Sequence, residues 1–217
     1  MIVFDLDGTL VDSREHILNY NRDLFRWLGR PFPEQDAELF YTLDRHALEQ
    51  RFFDEDLVRV AQFRERDPYL DRLSEIRPLS GALELLSSLR QRGIALALWT
   101  NRGPSTKPLL AQLGWEGLFD IVLHADMAVP SKPSPDGARW IASRWELAPA
   151  DLLFVGDSAV DREAARLAGC AFVQCAQVSP PLPQATSLPT LQAVGDYVAR
   201  WLRGDRADYN EEHHASA

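Results

Sequence analysis

The sequence predicts an α/β fold in which a parallel sheet carries helices on both faces and a block of helices is inserted near its start. Two observations support this prediction. From residue 78 onward, short apolar runs alternate with amphipathic helical segments. Between residues 12 and 76 the apolar spacing is helical and no convincing strand interrupts it. Alternation after such a block is typical of a parallel sheet with helices on both sides.

The first strand and the inserted helices account for the N-terminal third of the sequence. Ile2–Phe4 is a short apolar run that ends at Asp5, so it predicts a buried strand. Helical spacing then continues to residue 76, with breaks at residues 29–33 and near Pro68. We therefore expect residues 13–77 to form a separate helical domain, and residues 1–12 and 78–203 to form the core.

The second part of the sequence contains the remaining predicted elements. Their apolar spacing and their Gly and Pro breaks predict helices at residues 82–91, 104–113, 136–145 and 158–168, and strands at residues 94–99, 120–123, 152–155 and 171–173. The Pro-rich stretch 179–189 predicts an irregular connection, and helical spacing resumes at residues 191–202. The polar residues 204–217 are expected to form a disordered tail.

Composition excludes several functional classes. The formal net charge is −9 and no basic cluster is present, which argues against binding to nucleic acid. No apolar run approaches the ~20 residues of a membrane span, and the first residues lack a signal-peptide pattern, so we expect a cytoplasmic protein without membrane contact. Cys170 and Cys175 are too few for a disulfide framework. The oligomeric state is expected to be monomer or homodimer.

Acidic residues follow two of the predicted strands. Asp5 and Asp7 are two apart in an extended segment, so their side chains point the same way, and Gly8 then permits a sharp turn. An Asp-Gly turn after a strand also occurs without function. Asp157 ends a second apolar strand, and it could share a Mg²⁺ ion with Asp5 if the two strands are neighbours. Asp161 lies one turn into the next helix, where an acid is also favoured by the helix dipole.

Polar and basic residues follow the other predicted strands. Thr100 and Lys132 are a hydroxyl and a cation suited to phosphoryl oxygens, and in α/β sheets ligands bind beyond the carboxyl ends of strands. Arg102 is a further candidate for binding an anionic substrate. Within the helical insertion, Arg45 and His46 are possible substrate-binding residues, although exposed helical residues of these types are usually only solvated.

Four motifs in this order resemble the haloacid dehalogenase-like hydrolase superfamily, in its phosphoglycolate-phosphatase-like branch. The similarity spans about residues 1–175, and the ordered set is far more specific than any single motif. The motifs are DLDGTL at 5–10, TN at 100–101, KPSP at 132–135 and GDSAVD at 156–161.

The resemblance implies a Rossmann-like core, a small α-helical cap at residues 13–77 and a Mg²⁺-dependent phosphatase. It implies that Asp5 is the nucleophile, that Asp7 is the general acid and base, and that Asp161 supports the site. It further implies two sets of binding residues. Phosphate would be bound by Thr100, Asn101 and Lys132, and Mg²⁺ by Asp5, Asp157 and the Asp7 main-chain carbonyl.

Three alternatives follow from the same core. A sugar phosphomutase and a non-catalytic phosphate-binding regulator both remain possible at this stage. A phosphonate-cleaving relative needs a cap lysine, and residues 13–77 contain no Lys. An acid at Asp7 favours phosphate esters over carbon–halogen bonds, because a carbon–halogen bond needs no protonated leaving oxygen. The expected substrate is a small phosphorylated metabolite whose identity stays open.

Overall fold

The computed structural model describes residues 1–43, 45–66 and 70–205. The chain divides into two compact units. The first contains Met1–Val11 and the chain from Pro78 onward, and we call it the sheet unit; the second, Asp12–Arg77, is called the helical unit. None of the helices in the described residues combines the length and apolar character needed to cross a bilayer.

Within the described residues, eight short strands form two sheets. The main sheet has six strands in the order β5-β4-β1-β6-β7-β8, and every neighbouring pair is parallel; β2 and β3 form a separate two-stranded sheet. In chain order the strands are β1 (Ile2–Phe4), β2 (Val11–Asp12), β3 (Arg77–Pro78), β4 (Leu96–Trp99), β5 (Ile121–Leu123), β6 (Leu153–Gly156), β7 (Ala171–Cys175) and β8 (Ser187–Leu188).

Helices account for most of the remaining described residues. Those of the helical unit are α1 (Arg14–Trp27), α2 (Leu39–Thr42), α3 (Arg45–Leu48) and α4 (Leu57–Glu65), with a π-helical segment at Glu49–Phe53 and 3₁₀ turns at Glu34–Asp36 and Leu70–Glu75. Those of the sheet unit are α5 (Ala82–Gln91), α6 (Thr106–Gln112), α7 (Asp136–Arg144), α8 (Ala159–Ala168) and α9 (Leu191–Leu202), with a 3₁₀ turn at Pro149–Asp151.

Strand β1 lies at the centre of the main sheet. Its residue Val3 is paired with Ala97 of β4 on one side and Phe154 of β6 on the other. All three residues of β1 are buried, and the Trp99 and Phe154 rings stack with centroids 5.0 Å apart. The strand order changes direction at β1, so the carboxyl ends of β1, β4 and β6 border the crevice where α/β sheets bind ligands.

An aromatic cluster forms the core of the helical unit. The Phe25 ring of α1 lies 5.5 Å from Phe32, 5.9 Å from Phe40 and 5.3 Å from Phe53, in edge-on or tilted arrangements. Buried rings packed in this way contribute beyond their apolar area. Charged residues lie around the cluster; among them, the Arg72 guanidinium bridges two carboxylates. These belong to Asp23 at 2.7 Å and Glu75 at 2.8 Å.

The predicted fold class is confirmed: the protein has an α/β, Rossmann-like fold, and its main sheet is parallel. Helices α5 and α9 have the predicted bounds, whereas most other elements differ by one or two residues at their ends. Three short strands were not predicted. The stretch 179–189 contains strand β8. The Ala176 amide donates to Leu188 O of this strand, and the Gln174 amide donates to Thr186 O just before it. The two-residue strands β2 and β3, which flank the insertion, were also not predicted.

The boundary between the two units falls close to the one expected from the sequence. Asp12 belongs to the helical unit instead of to the core segment 1–12. Most of the tail predicted at residues 204–217 lies outside the described residues. The role of the helical unit as a cap stays a prediction.

Candidate active site

The chain turns sharply where β1 ends, and this turn positions Asp5. The Asp5 amide donates to Val155 O of the neighbouring strand at 2.9 Å, and the amides of Leu10 and Val11 both donate to Leu6 O. The buried Thr9 hydroxyl lies four residues on and donates to Asp5 Oδ2 at 3.2 Å. The turn therefore holds one oxygen of the Asp5 carboxylate.

Gly8 occupies the tightest point of this turn. Its φ is +82°, a conformation that residues with a side chain rarely adopt, and an added Cβ would collide with the Asp157 carboxylate. Glycine at this position lets the backbone after β1 approach the acid after β6. Asp157 is partly buried. An added Cβ on its neighbour Gly156 would lie only 2.6 Å from Asp161 Cβ, so this glycine permits a second close approach.

Lys132 lies at the centre of the candidate site. Its Nζ donates to Asp5 Oδ1 and to Asp161 Oδ1, both at 2.6 Å, and the side chain is almost fully buried. The ammonium also lies 5.3 Å from the centre of the Phe154 ring. Asn101 fixes the Lys132 backbone, since its Nδ2 donates to Lys132 O and its Oδ1 accepts from Lys132 N, each at 2.9 Å.

A helix cap positions Asp161. Ser158 is the N-cap of α8, and its hydroxyl accepts from the Asp161 amide at 3.3 Å. In return Asp161 Oδ2 accepts from the Ser158 hydroxyl at 2.6 Å and from its amide at 3.1 Å. This capping box leaves Oδ1 for Lys132. The dipole of α8 also favours a negative charge at this point.

Burial shifts the pKa values of the clustered groups. It raises the pKa of Asp5 well above its ordinary value, with the Lys132 cation opposing the shift and Asp161 adding to it. Burial and then the charge of Asp161 raise the pKa of Asp157 to about 7. Burial alone would lower the pKa of Lys132, but Asp161 and Asp5 outweigh that effect and raise it. Lys132 bonds two of the three carboxylates, those of Asp5 and Asp161, and Asp157 accepts from the Ser179 hydroxyl instead.

The donor set fits a divalent cation. Asp5, Asp157 and Asp161 each offer a carboxylate oxygen, and these three oxygens lie within 4.8 Å of one another. Mg²⁺ prefers hard oxygen ligands and usually takes one or two protein carboxylates. A cation would also offset the cost of burying ionised carboxylates, which is the main cause of the raised pKa values of Asp5 and Asp157. The Asp7 carbonyl as a metal ligand stays a prediction.

Arg102 binds Asp7, a pairing that the sequence did not predict. Arg102 Nε donates to Asp7 Oδ2 at 3.0 Å and Nη2 donates to Oδ1 at 2.5 Å, while Nη1 donates to the Ser105 hydroxyl at 3.2 Å. The Arg102 side chain is buried, whereas Asp7 is partly exposed. The Arg102 amide donates to the buried Thr100 hydroxyl at 3.0 Å, which ties Arg102 to the end of β4.

The remaining predicted residues belong to the helical unit. His46 is an exposed residue of α3. Arg45 begins the same helix, but its side chain lies outside the described residues. Their proposed role in substrate binding stays a prediction.

The structure brings together the seven core residues singled out from the sequence and gives them four further polar partners. Thr9 lies within the first motif and Ser158 within the fourth, so both could have been found from the motifs and the cap pattern S-x-x-D. Arg102 was named from the sequence as a candidate for binding an anionic substrate, but not as a partner of Asp7. Ser179, whose hydroxyl donates to Asp157 Oδ2 at 2.5 Å, carries no motif at all.

A parallel sheet with carboxylates and a buried lysine beyond its central strands defines an α/β protein with a candidate site for an anion and a metal. Residues 2–175 match the sequence profile of the haloacid dehalogenase-like hydrolases. The chain belongs to this family of hydrolases.

Similar proteins agree with this assignment. The phosphoglycolate phosphatase of Thiobacillus denitrificans is 31% identical over 180 residues, covering 78% of this chain and 79% of the relative. That of Nitrosospira multiformis is 32% identical over 179 residues, covering 77% and 79%.

Solved structures share the fold. A haloacid dehalogenase superfamily hydrolase of subfamily IA from Geobacter sulfurreducens has a TM-score of 0.77 at 26% identity, covering 90% of this chain and 97% of the other. CbbY from Rhodobacter sphaeroides, solved in complex with phosphate, has a TM-score of 0.71 at 22% identity, covering 87% and 93%. At that identity the second likeness concerns the fold alone.

Proposed function

We propose that this protein is a Mg²⁺-dependent phosphatase that hydrolyses a small phosphorylated metabolite through an aspartyl-phosphate on Asp5. Family membership makes the chain a hydrolase, and its similarity to phosphoglycolate phosphatases indicates that it is a phosphatase. Metal dependence, the covalent intermediate and the residue roles are our proposal. Phosphoglycolate is the first substrate to test.

One observation carries the proposal. A single buried ammonium, Lys132 Nζ, bonds Asp5 and Asp161 at 2.6 Å beside the carboxylate of Asp157. Burying so many charges is costly unless they are paired, and their removal in favour of apolar residues is often neutral or stabilising. Their presence beyond the central strand therefore supports a chemical role.

In the first step, an Asp5 carboxylate oxygen attacks the phosphorus atom as the bond to the leaving oxygen breaks. Asp7 donates its proton to that oxygen, so the alcohol departs neutral. Lys132 stabilises negative charge on the phosphoryl oxygens and favours the ionised form of the nucleophile. The buried Thr100 hydroxyl is a second donor to the phosphoryl group.

In the second step, the Asp7 carboxylate takes a proton from a water molecule whose oxygen attacks the phosphorus atom. The bond between phosphorus and Asp5 breaks, which releases phosphate and restores the carboxylate. Arg102 supports this step, because its two hydrogen bonds favour and orient the charged form of Asp7. Proton donation in the first step then requires the hydrogen bonds from Arg102 to Asp7 to lengthen or break.

The residues that would hold Mg²⁺ are Asp5, Asp157 and the Asp7 carbonyl. When bound, Mg²⁺ supplies positive charge that offsets repulsion between the phosphate and the carboxylates. Asp161 serves the site through Lys132, with which it shares a hydrogen bond. Asn101 likewise acts through Lys132, because both polar groups of its side chain bond the Lys132 backbone.

The helical unit is proposed to act as the cap that excludes water and selects the leaving group. Arg45 and His46 are its candidate substrate-binding residues. A cytoplasmic location and a monomeric or homodimeric state stay predictions.

The test is release of phosphate by purified protein from 4-nitrophenyl phosphate and from phosphoglycolate, with Mg²⁺ or with EDTA. We expect Asp5→Asn to abolish release while the melting temperature stays near that of wild type. Asp196→Asn is the matched control, since Asp196 is an exposed residue of α9 in the same unit. Full activity of Asp5→Asn would contradict the proposal. An isomerised sugar phosphate in place of free phosphate would indicate the mutase instead.

A further inference from the structure

The loop after β7 reaches back to the carboxylate cluster. Ser179 donates its hydroxyl hydrogen to Asp157 Oδ2 at 2.5 Å. The family profile ends at residue 175, so this contact comes from a part of the chain that the family match does not cover. Asp157 is separated from Ser179 by 22 positions in the sequence.

Gln174 fixes this loop from inside the sheet unit. Its side chain is fully buried, and Nε2 donates to Asp157 O and to Pro180 O, both at 2.9 Å. Oε1 accepts from the Leu182 amide at 2.7 Å and from the Ser187 hydroxyl at 2.5 Å. Both donors and both acceptor positions of one amide are therefore used. The amide joins the backbone at Asp157 to the residue that follows Ser179.

A second glutamine holds the start of the loop. Gln177 Oε1 accepts from the Leu191 amide at 3.0 Å, and Nε2 donates to Ser80 O at 3.3 Å. Pro180 also restricts the backbone of Ser179 to extended conformations. The backbone is therefore held on both sides of Ser179, and this fixes the position of the Ser179 hydroxyl.

We propose that Ser179 is a positioning residue for the metal ligand Asp157, and that Gln174 fixes the loop that carries it. The inference rests on the proposed function, because it takes Asp157 as a Mg²⁺ ligand. A hydroxyl on one carboxylate oxygen stops rotation of the carboxylate, so less freedom is lost when a cation binds. A hydrogen bond to the charged form also favours the ionised ligand that Mg²⁺ requires.

Calorimetric titration of metal-free full-length protein with MgCl₂ tests the inference. We expect Ser179→Ala to weaken Mg²⁺ binding by about 10- to 100-fold, the usual effect of removing a partner of a metal ligand. Ser143→Ala is the matched control, because Ser143 donates a hydroxyl bond to Trp140 O at 2.7 Å on the surface and lies outside the four motifs. Ser179→Thr keeps the hydroxyl and should keep most of the affinity.

Kinetics give a second measurement that a purely structural role would not change. In Ser179→Ala the Mg²⁺ concentration for half-maximal phosphate release should rise, whereas kcat at saturating Mg²⁺ and KM for the ester stay near wild type. Unchanged Mg²⁺ affinity in Ser179→Ala, or the same loss in Ser143→Ala, would overturn the inference.

Two further outcomes separate this inference from other failures. If wild type itself binds no Mg²⁺, the proposed function fails before the role of Ser179 is reached. If Ser179→Ala does not fold, Ser179→Cys replaces it, since a thiol of similar size is a weak donor and should give a similar loss of affinity.

Discussion

Each unit contains a cation that bridges two carboxylates, and the surroundings of the two cations differ sharply. In the sheet unit, Lys132 Nζ lies 2.6 Å from each partner and its side chain is 3% exposed. In the helical unit, Arg72 lies 2.7 and 2.8 Å from its partners and is 37% exposed. The hydrogen-bond lengths are alike, so burial is the variable that separates the two bridges.

The difference shows that the buried bridge is the one at the candidate active site, whereas the bridge in the helical unit is partly exposed. An exposed ion pair keeps much of its hydration and contributes little to stability. A buried pair has lost that hydration, so removing one partner leaves an uncompensated charge. Arg30 and Arg51 of the helical unit fit the first description, since their side chains are 41% and 54% exposed. They also lie over the Phe25 and Phe52 rings, at 5.3 and 5.4 Å.

The largest effect is expected from replacing the two bridging cations with methionine. Lys132→Met should lower the free energy of unfolding by about 3–5 kcal/mol, because it leaves Asp5 and Asp161 buried without a counterion. Arg72→Met should cost only about 0.2–1 kcal/mol. Urea unfolding followed by circular dichroism measures both, and Lys132→Met should also abolish phosphate release. Similar costs for the two variants would show that burial does not distinguish the bridges.

Two glycines with similar backbone angles provide a second comparison. Gly8 in the sheet unit has φ +82° and Gly29 in the helical unit has φ +74°, but only an added Cβ at Gly8 meets another group, the Asp157 carboxylate. Alanine at either position should cost about 1 kcal/mol through backbone strain. Displacement of Asp157 should lower kcat/KM of Gly8→Ala by about 100-fold. Equal activity of the two variants would contradict the close approach of Gly8 to the site.

The third comparison concerns two arginine–carboxylate pairs within the sheet unit. Arg102→Lys cannot keep both bonds to Asp7, so kcat should fall about 10- to 100-fold through the second step, in which Asp7 takes a proton from water. Where that step limits the rate, the fall should be the same for an alkyl phosphate and for 4-nitrophenyl phosphate, since both pass through the same aspartyl-phosphate. Arg90→Lys alters a more exposed pair with Asp120 and should leave both rates near wild type. A loss confined to the alkyl phosphate would place Arg102 in the first step instead.

Much of the fold was predictable because its sheet unit follows simple periodicity. The bounds of α5 and α9 match the apolar spacing of residues 82–91 and 191–202. Strand β8 was missed because two residues carry no period, and its pairing depends on β7, about a dozen positions earlier. In the helical unit the apolar spacing at residues 39–48 predicted helix, but not that α2 and α3 would each have four residues.

The candidate site was predictable where a motif carries it. Asp5, Lys132 and Asp161 come together because strand ends of a parallel sheet share one edge. Arg102 was expected to bind an anionic substrate; its guanidinium instead bonds Asp7, 95 positions away, and no local pattern specifies the direction of a long side chain. Ser179 could not be predicted, because its position depends on a buried glutamine that orders an otherwise irregular loop.

The predicted effects of pH have opposite signs in the two units. In the helical unit, burial would raise the pKa of Glu75, but hydrogen bonds from Asn19 and Arg72 outweigh it and lower the pKa. Stability from this group is present above its ordinary value of 4.5 and is lost as pH falls below it. In the sheet unit the pKa of Asp157 is raised from 3.8 to about 7, so metal-free protein should lose stability as pH rises through that interval.

Mg²⁺ should reverse the loss of stability at high pH, because it binds the carboxylate form of Asp157 and must displace a proton below pH 7. With a pKa of about 7, roughly a tenth of Asp157 is ionised at pH 6 and nine tenths at pH 8, so Mg²⁺ affinity should rise about tenfold between them. Calorimetric titrations at the two pH values measure this rise. The increase in melting temperature at a fixed Mg²⁺ concentration should grow over the same interval, and Arg72→Met should show the same growth as wild type. A constant affinity would mean that Asp157 is already ionised at pH 6. Mg²⁺ binding at the buried cluster would then displace no proton from it.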